Sequence, residues 1–141
     1  LTLSVAEVFT GGLLSQKLSD TGSPSFVQGL VLSSEISQRK FLGMDPEAYK
    51  ATRSNTKALA EALARRTRDQ TGTDLGLATV AQIVEEQGEG QYRIEAHFFL
   101  ETPEGTETEE YRIGGEPLMV RERTAITAID MVRKYLLKKE N

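Results

Sequence analysis

A chain of 141 residues, 38% hydrophobic and 27% charged, is one domain's worth of ordinary globular polypeptide with enough apolar material for a real core. Its net charge of −4 argues against general nucleic-acid binding, which requires a basic face to neutralise phosphates. No apolar run approaches the roughly 20 residues of a membrane helix and no charged-then-apolar leader is present, so neither membrane nor nucleic acid is expected as a partner and the cytoplasm is the expected compartment.

The chain begins at Leu1 rather than methionine, which leaves open a segment before it. Residues 1–7 are predicted as a strand and 10–20 as a helix, with Thr10 as its N-cap and Gly11-Gly12 forming the turn between them. Thr21-Gly22-Ser23-Pro24 is a turn, and the apolar run 27–33 fits a short buried strand. Ser33 or Ser34 caps a short helix through Leu42, closed by Gly43, and Asp45-Pro46-Glu47 starts a further turn of helix.

Ser54 is expected to open the clearest middle helix, with Ala58, Leu59, Ala62 and Leu63 on one face and Gly72 as the stop. The cluster Arg65, Arg66 and Arg68 near its end reads as dipole complement and solvated face rather than a phosphate site. Residues 75–84 predict a strand buried on both faces, and 85–90 an acidic, glycine-containing loop. Alternation from Tyr92 to Phe98 predicts a half-buried strand, and Thr102-Pro103-Glu104-Gly105 a hairpin turn. Residues 106–113 return antiparallel with a Glu-rich face. Ala125, Ala128, Ile129, Val132 and Leu136 then form the stripe of a long final helix. The order β-α-β-α-α-β-β-β-α predicts one α/β domain over residues 1–141, a three-layer α/β/α sandwich with a mixed sheet and an antiparallel hairpin.

The stretch after the first strand has two readings. Thr10-Gly11-Gly12 at a helix start, with its partial positive charge, can hold an anion such as a phosphate, but such a run after a strand is more often just a strand-to-helix turn. The longer pattern is more specific. Ala6-Glu7-x-x-Thr10-Gly11-Gly12-Leu13-Leu14, then Leu18-x-Asp20, Gly22-Ser23, Phe26 and Gly29-Leu30-Val31 resembles the CinA C-terminal domain family, and the likeness continues more thinly to the last helix. That family includes nicotinamide mononucleotide deamidases, so the resemblance implies the α/β/α fold, an amide-hydrolysis site without metal or cofactor, a pyridine nucleotide or other phosphate-bearing small molecule as ligand, and a homo-oligomer.

Carried over position by position, the resemblance also marks replacements. The serine of the family's A-E-S-C-T-G-G falls on Val8 and its cysteine on Phe9; the tyrosine after the second strand falls on Ser33, and the lysine five residues later on Gln38. The threonine of T-G-I-A-G-P falls on Val80, with Ala81 in place of glycine, and the arginine of G-D-R falls on Pro117. A valine cannot attack a carbonyl and a glutamine cannot act as a base; each loss removes about 3 kcal/mol or more of transition-state stabilisation. Thr79 and Lys40 stand close to two of the vacated positions, but a one-residue shift in a strand turns a side chain to the other face, and Lys40 is about 200° further round its helix. Thr10, Gly11, Gly12, Ser33, Ser34 and Arg121 remain as ligand-binding candidates.

Cysteine is absent and His97 is the single histidine, so disulfides, thiol chemistry and His-cluster metal sites are excluded and no metal is expected. His97 beside Glu95 reads as an ordinary strand histidine, and Glu107, Glu109 and Glu110 as a solvated face without the spacing of a calcium loop. Two functions from different classes follow: a non-catalytic domain retaining a ligand-binding or assembly role, or an amidohydrolase with a rearranged site. The second is supported if Thr10, Ser33 or Ser34 faces a pocket with Lys40 or Arg121 in reach; the first is favoured by Phe9 plugging the region. A regulatory partner of an active homologue is a third reading, tied to no particular residue.

Overall fold

The computed structural model describes residues 1–86, 88 and 90–140. The elements are β1 (Leu3–Glu7), α1 (Leu13–Asp20), β2 (Phe26–Val31), α2 (Glu35–Leu42), α3 (Pro46–Arg53), α4 (Thr56–Thr71), β3 (Leu75–Glu86), β4 (Tyr92–Thr102), β5 (Gly105–Gly115) and α5 (Pro117–Glu140). The strands form one sheet in the order β2-β1-β3-β4-β5. β1 is parallel to both β2 and β3, whereas β3, β4 and β5 are successively antiparallel. The sheet is therefore mixed, with helices on both faces, as the residue pattern requires.

Each face has its own core. On one, Leu3, Val5, Leu77, Phe98 and Leu100 meet Leu14 of α1 and Val120, Ala125, Ala128 and Met131 of α5. On the other, Ala6, Ala78, Val80 and Phe99 meet Leu59, Ala60, Leu63 and Ala64 of α4. Strand alternation sends neighbouring residues to these two cores. Gly76 permits the close approach of α4, since a Cβ there would stand 2.3 Å from the Ala64 carbonyl oxygen.

Local chemistry sets most boundaries. Ser34 caps α2 through a reciprocal pair with Ser37, Asp45 caps α3 ahead of Pro46, and Gly43 and Gly72 close α2 and α4 in the left-handed region. Five expectations need correction. The strand expected to be buried over 27–33 is β2, an edge strand whose residues are half-buried or exposed because only β1 flanks it. The turn of helix after Asp45 is the eight-residue helix α3. Asn55, not Ser54, caps α4, its carboxamide oxygen accepting from the Ala58 N–H at 3.2 Å. β3 is buried only as far as Val80; Gln82 to Glu86 are exposed, because the strand there runs past the helix layer. It also continues through Glu86, so of the expected loop Gln87 and Glu89 lie outside the described residues. Among the described residues, no helix is long and apolar enough to cross a membrane.

Candidate functional site

Four of the positions singled out by the sequence come together. Val8 follows β1, Ser33 follows β2, Gln38 lies on α2 and Val80 on β3; all line one open cleft of about 460 Å³ on the α4 side of the sheet. Strand order explains the convergence, since β1 is flanked by β2 and β3 and all three run parallel, so their C-terminal ends open on the same side. Lys50 and Arg53 from α3 and Glu35 from α2, with Ser54, Thr56 and Gln82, supply further polar lining, while Leu59 supplies apolar floor.

Gln38 is buried and fully engaged. Its Nε2 donates to the Leu32 carbonyl at 2.9 Å, and its Oε1 accepts from the Tyr49 hydroxyl. Burial, and then the negative charge of Glu35, hold the Tyr49 phenol above its ordinary value, while Arg53 opposes them. Arg53 reaches Glu35 at 2.7 Å at the cleft mouth. Thr79 lies one residue from Val80 and, by strand alternation, faces the other core, where its buried hydroxyl has no hydrogen-bond partner among the described residues. Lys40 is exposed and outside the cleft lining.

The other candidates lie elsewhere. Thr10 does not cap α1; Gly12 does, at φ 102°, because the Thr10 side chain is committed to Glu7. The buried Glu7 carboxylate accepts from the Thr10 hydroxyl at 2.6 Å, from the N–H groups of Gly12 at 2.9 Å, Leu14 at 3.2 Å and Ser15 at 2.8 Å, and from the Ser15 hydroxyl. The helix start does hold an anion, and it is the chain's own carboxylate. Gly11 is exposed in the left-handed region at φ 61°. Ser34 is used as the α2 cap. Arg121, exposed on α5, stands over the Phe9 ring at 5.9 Å, and Phe9 packs into the core between sheet and α5. Pro117 begins α5, away from the cleft.

Lys50 and Arg53 were not singled out from the sequence. Their signal is visible only as two cations on one face of α3 at i and i+3, ahead of the α4 start. The arginine cluster of α4 serves its own chain: Arg65 pairs with Glu61 at 2.7 Å and Arg66 Nε donates to the Phe41 carbonyl at 3.1 Å. The three glutamates of β5 are split by alternation. Glu107 and Glu109 face α5, Glu107 standing 3.9 Å from Lys138, whereas Glu110 faces the other side, opposite His97.

The CinA C-terminal domain family model matches residues 1–136. A CinA-like protein of Geobacter sulfurreducens is 33% identical over 141 residues, covering 97% of this chain and 34% of that protein. A CinA-like protein of Frankia casuarinae is 32% identical over 137 residues, covering 96% of this chain and 32% of its own length. The chain thus spans about a third of the length of the curated relatives it matches. A CinA superfamily protein from Enterobacter cloacae superposes with a TM-score of 0.79 at 25% identity, over 96% of this chain and 82% of that one. A Klebsiella pneumoniae member superposes at 0.80 with 22% identity, over 97% and 88%, and supports the fold alone. With the family pattern matched along nearly its whole length and the same sandwich in solved relatives, this chain belongs to the CinA C-terminal domain family.

Proposed function

We propose that the cleft between Val8, Val80 and α3 binds a phosphate-bearing small molecule of the pyridine-nucleotide kind and holds it without hydrolysing it. The observation that carries this reading is the convergence of Val8, Ser33, Gln38 and Val80 in one open cleft that carries two cations, Lys50 and Arg53, against one carboxylate, Glu35. Of the cleft positions that the resemblance assigns to chemistry, Val8 and Val80 are apolar, Gln38 carries an amide and Ser33 alone keeps a hydroxyl. The groups that would grip an anion, Lys50, Arg53 and the Thr56 start of the 16-residue α4, are present. A volume of about 460 Å³ suits a mononucleotide.

A phosphate would draw Arg53 from Glu35, exchanging one exposed ion pair for a charge-assisted contact. Amide hydrolysis needs a nucleophile, a base and oxyanion donors in mutual reach. Gln38 is the wrong group for a base and is spent on Leu32 and Tyr49. One observation favours the alternative, an amidohydrolase converting nicotinamide mononucleotide to nicotinate mononucleotide and ammonia: Ser33 and Lys50 line the same cleft, and serine–lysine pairs can serve as nucleophile and base. A cytoplasmic location and a homo-oligomer belong to the same proposal and rest on the family resemblance.

Thermal unfolding with nicotinamide mononucleotide and nicotinate mononucleotide tests the binding. Either ligand raises the wild-type midpoint, and the double variant Lys50→Ala/Arg53→Ala loses most of that rise. A wild-type midpoint unmoved by either nucleotide would sink the binding reading.

A further inference from the structure

We propose that Glu95, His97 and Glu110 form a binding site for a first-row divalent metal ion, beside the cleft on the same face of the sheet. One ligand atom from each residue lies within 4.8 Å of the other two. His97 and Glu95 are two residues apart on β4 and therefore share a face, and Glu110 is the direct cross-strand partner of His97 on β5. Three potential ligands thus stand on two paired strands, a rigid base for a metal site.

The two ligands on β4 are already spaced for ligation. A metal bound at about 2.0–2.2 Å by imidazole and carboxylate sets its ligand atoms roughly 3 Å apart. His97 Nε2 already stands 3.2 Å from Glu95 Oε1. Glu110 Oε2 is 4.0 Å from the other ring nitrogen, Nδ1, and its side chain is 56% exposed, so it must swing round the ring to join Glu95 at an ion held by Nε2. One imidazole with two carboxylates suits ions such as Zn²⁺ or Mn²⁺ rather than the all-oxygen shell of Ca²⁺. The group borders an open cavity of about 240 Å³ lined by His97, Thr108 and Glu110, which leaves room for water ligands.

Two cations face the site. Arg112 lies 3.9 Å from the second oxygen of Glu95, leaving Oε1 to the metal, and Lys57 lines the cavity from α4. Val80 and Gln82, which line the cleft, are the cross-strand partners of His97 and Glu95, so the ion would sit one strand away from the bound ligand.

Equilibrium dialysis of the full chain against Zn²⁺ and Mn²⁺, with metal read by elemental analysis, is the test. The wild type takes up about one equivalent, and His97→Gln and Glu110→Gln each weaken it by about tenfold or more. Glu107→Gln, on the opposite face of β5, leaves binding unchanged. Circular dichroism checks that the variants are folded; Glu110→Gln, on an exposed edge strand, keeps the test valid if His97→Gln is not. Absence of saturable uptake, wild-type affinity in Glu110→Gln, or equal weakening by Glu107→Gln would each overturn the site.

Discussion

The Thr10 hydroxyl donates to Glu7 Oε1 at 2.6 Å inside the turn that joins β1 to α1. That bond makes Glu7 the internal counter-ion of the helix start, because three backbone N–H groups of the same turn converge on its carboxylate. A motif that reads from sequence as an anion receptor is thus a structural staple. It ties the last residue of β1 to the first turn of α1, on the face of the sheet opposite the open cleft.

Glu7→Gln is expected to destabilise the fold by about 3 kcal/mol. The carboxamide presents an NH₂ group to donors and loses the charge that complements the helix start. Urea unfolding checks this; a midpoint within error of the wild type would show that the staple contributes little.

Gly29 faces the same staple from β2. A Cβ at this position would lie 2.1 Å from Ser15 Oγ and 2.8 Å from Ser15 Cβ. Gly29→Ala must push α1 outward or displace the Ser15 hydroxyl from Glu7, at a cost of about 2 kcal/mol. Pairing it with Ser15→Gly, which vacates that space, recovers part of the loss in the same unfolding experiment.

Tyr49 carries a pH dependence. Burial and then Glu35 hold its phenol above the ordinary value of 10.0. The folded state therefore favours the neutral phenol, and its contribution is complete below pH 10.0 and lost as pH rises toward the folded value. Wild-type stability should fall more steeply above pH 10.0 than that of Tyr49→Phe. At neutral pH the variant should be about 1–2 kcal/mol less stable, because Gln38 Oε1 loses its donor. Parallel stability–pH curves for the two proteins would refute the assignment.

Lys50→Ala alone should weaken nucleotide binding by about tenfold, roughly 1.4 kcal/mol, with little change in stability, since Lys50 is exposed. Calorimetric titration measures the first quantity and thermal unfolding the second. An unchanged affinity would move the anion contact to Arg53 or the α4 start.

Features set by neighbours in the chain were legible in the sequence. Ser34, Asp45, Gly43 and Gly72 act within a turn of where they stand, and they mark the ends of α2, α3 and α4 as expected. The period of Leu59 and Leu63, and the alternation from Tyr92 to Phe98, likewise placed α4 and β4. Thr10 was misread because its competitor, Glu7, is held in place by Ser15 and the packing of α1, not by its immediate neighbours. Lys50 and Arg53 were invisible as site residues because only the seating of α3 beside the ends of β1 and β3 brings them to Val8 and Val80. His97, read as an ordinary strand residue, acquired its second carboxylate only when β5 paired with β4.

The most direct test of the central claim is ammonia release from nicotinamide mononucleotide by the purified chain, at nucleotide concentrations that saturate the thermal shift. The account predicts a bound nucleotide and no ammonia above the enzyme-free blank. Turnover above blank that disappears in Ser33→Ala or Lys50→Ala would contradict it, and would mean that the cleft has been rebuilt around a serine–lysine pair.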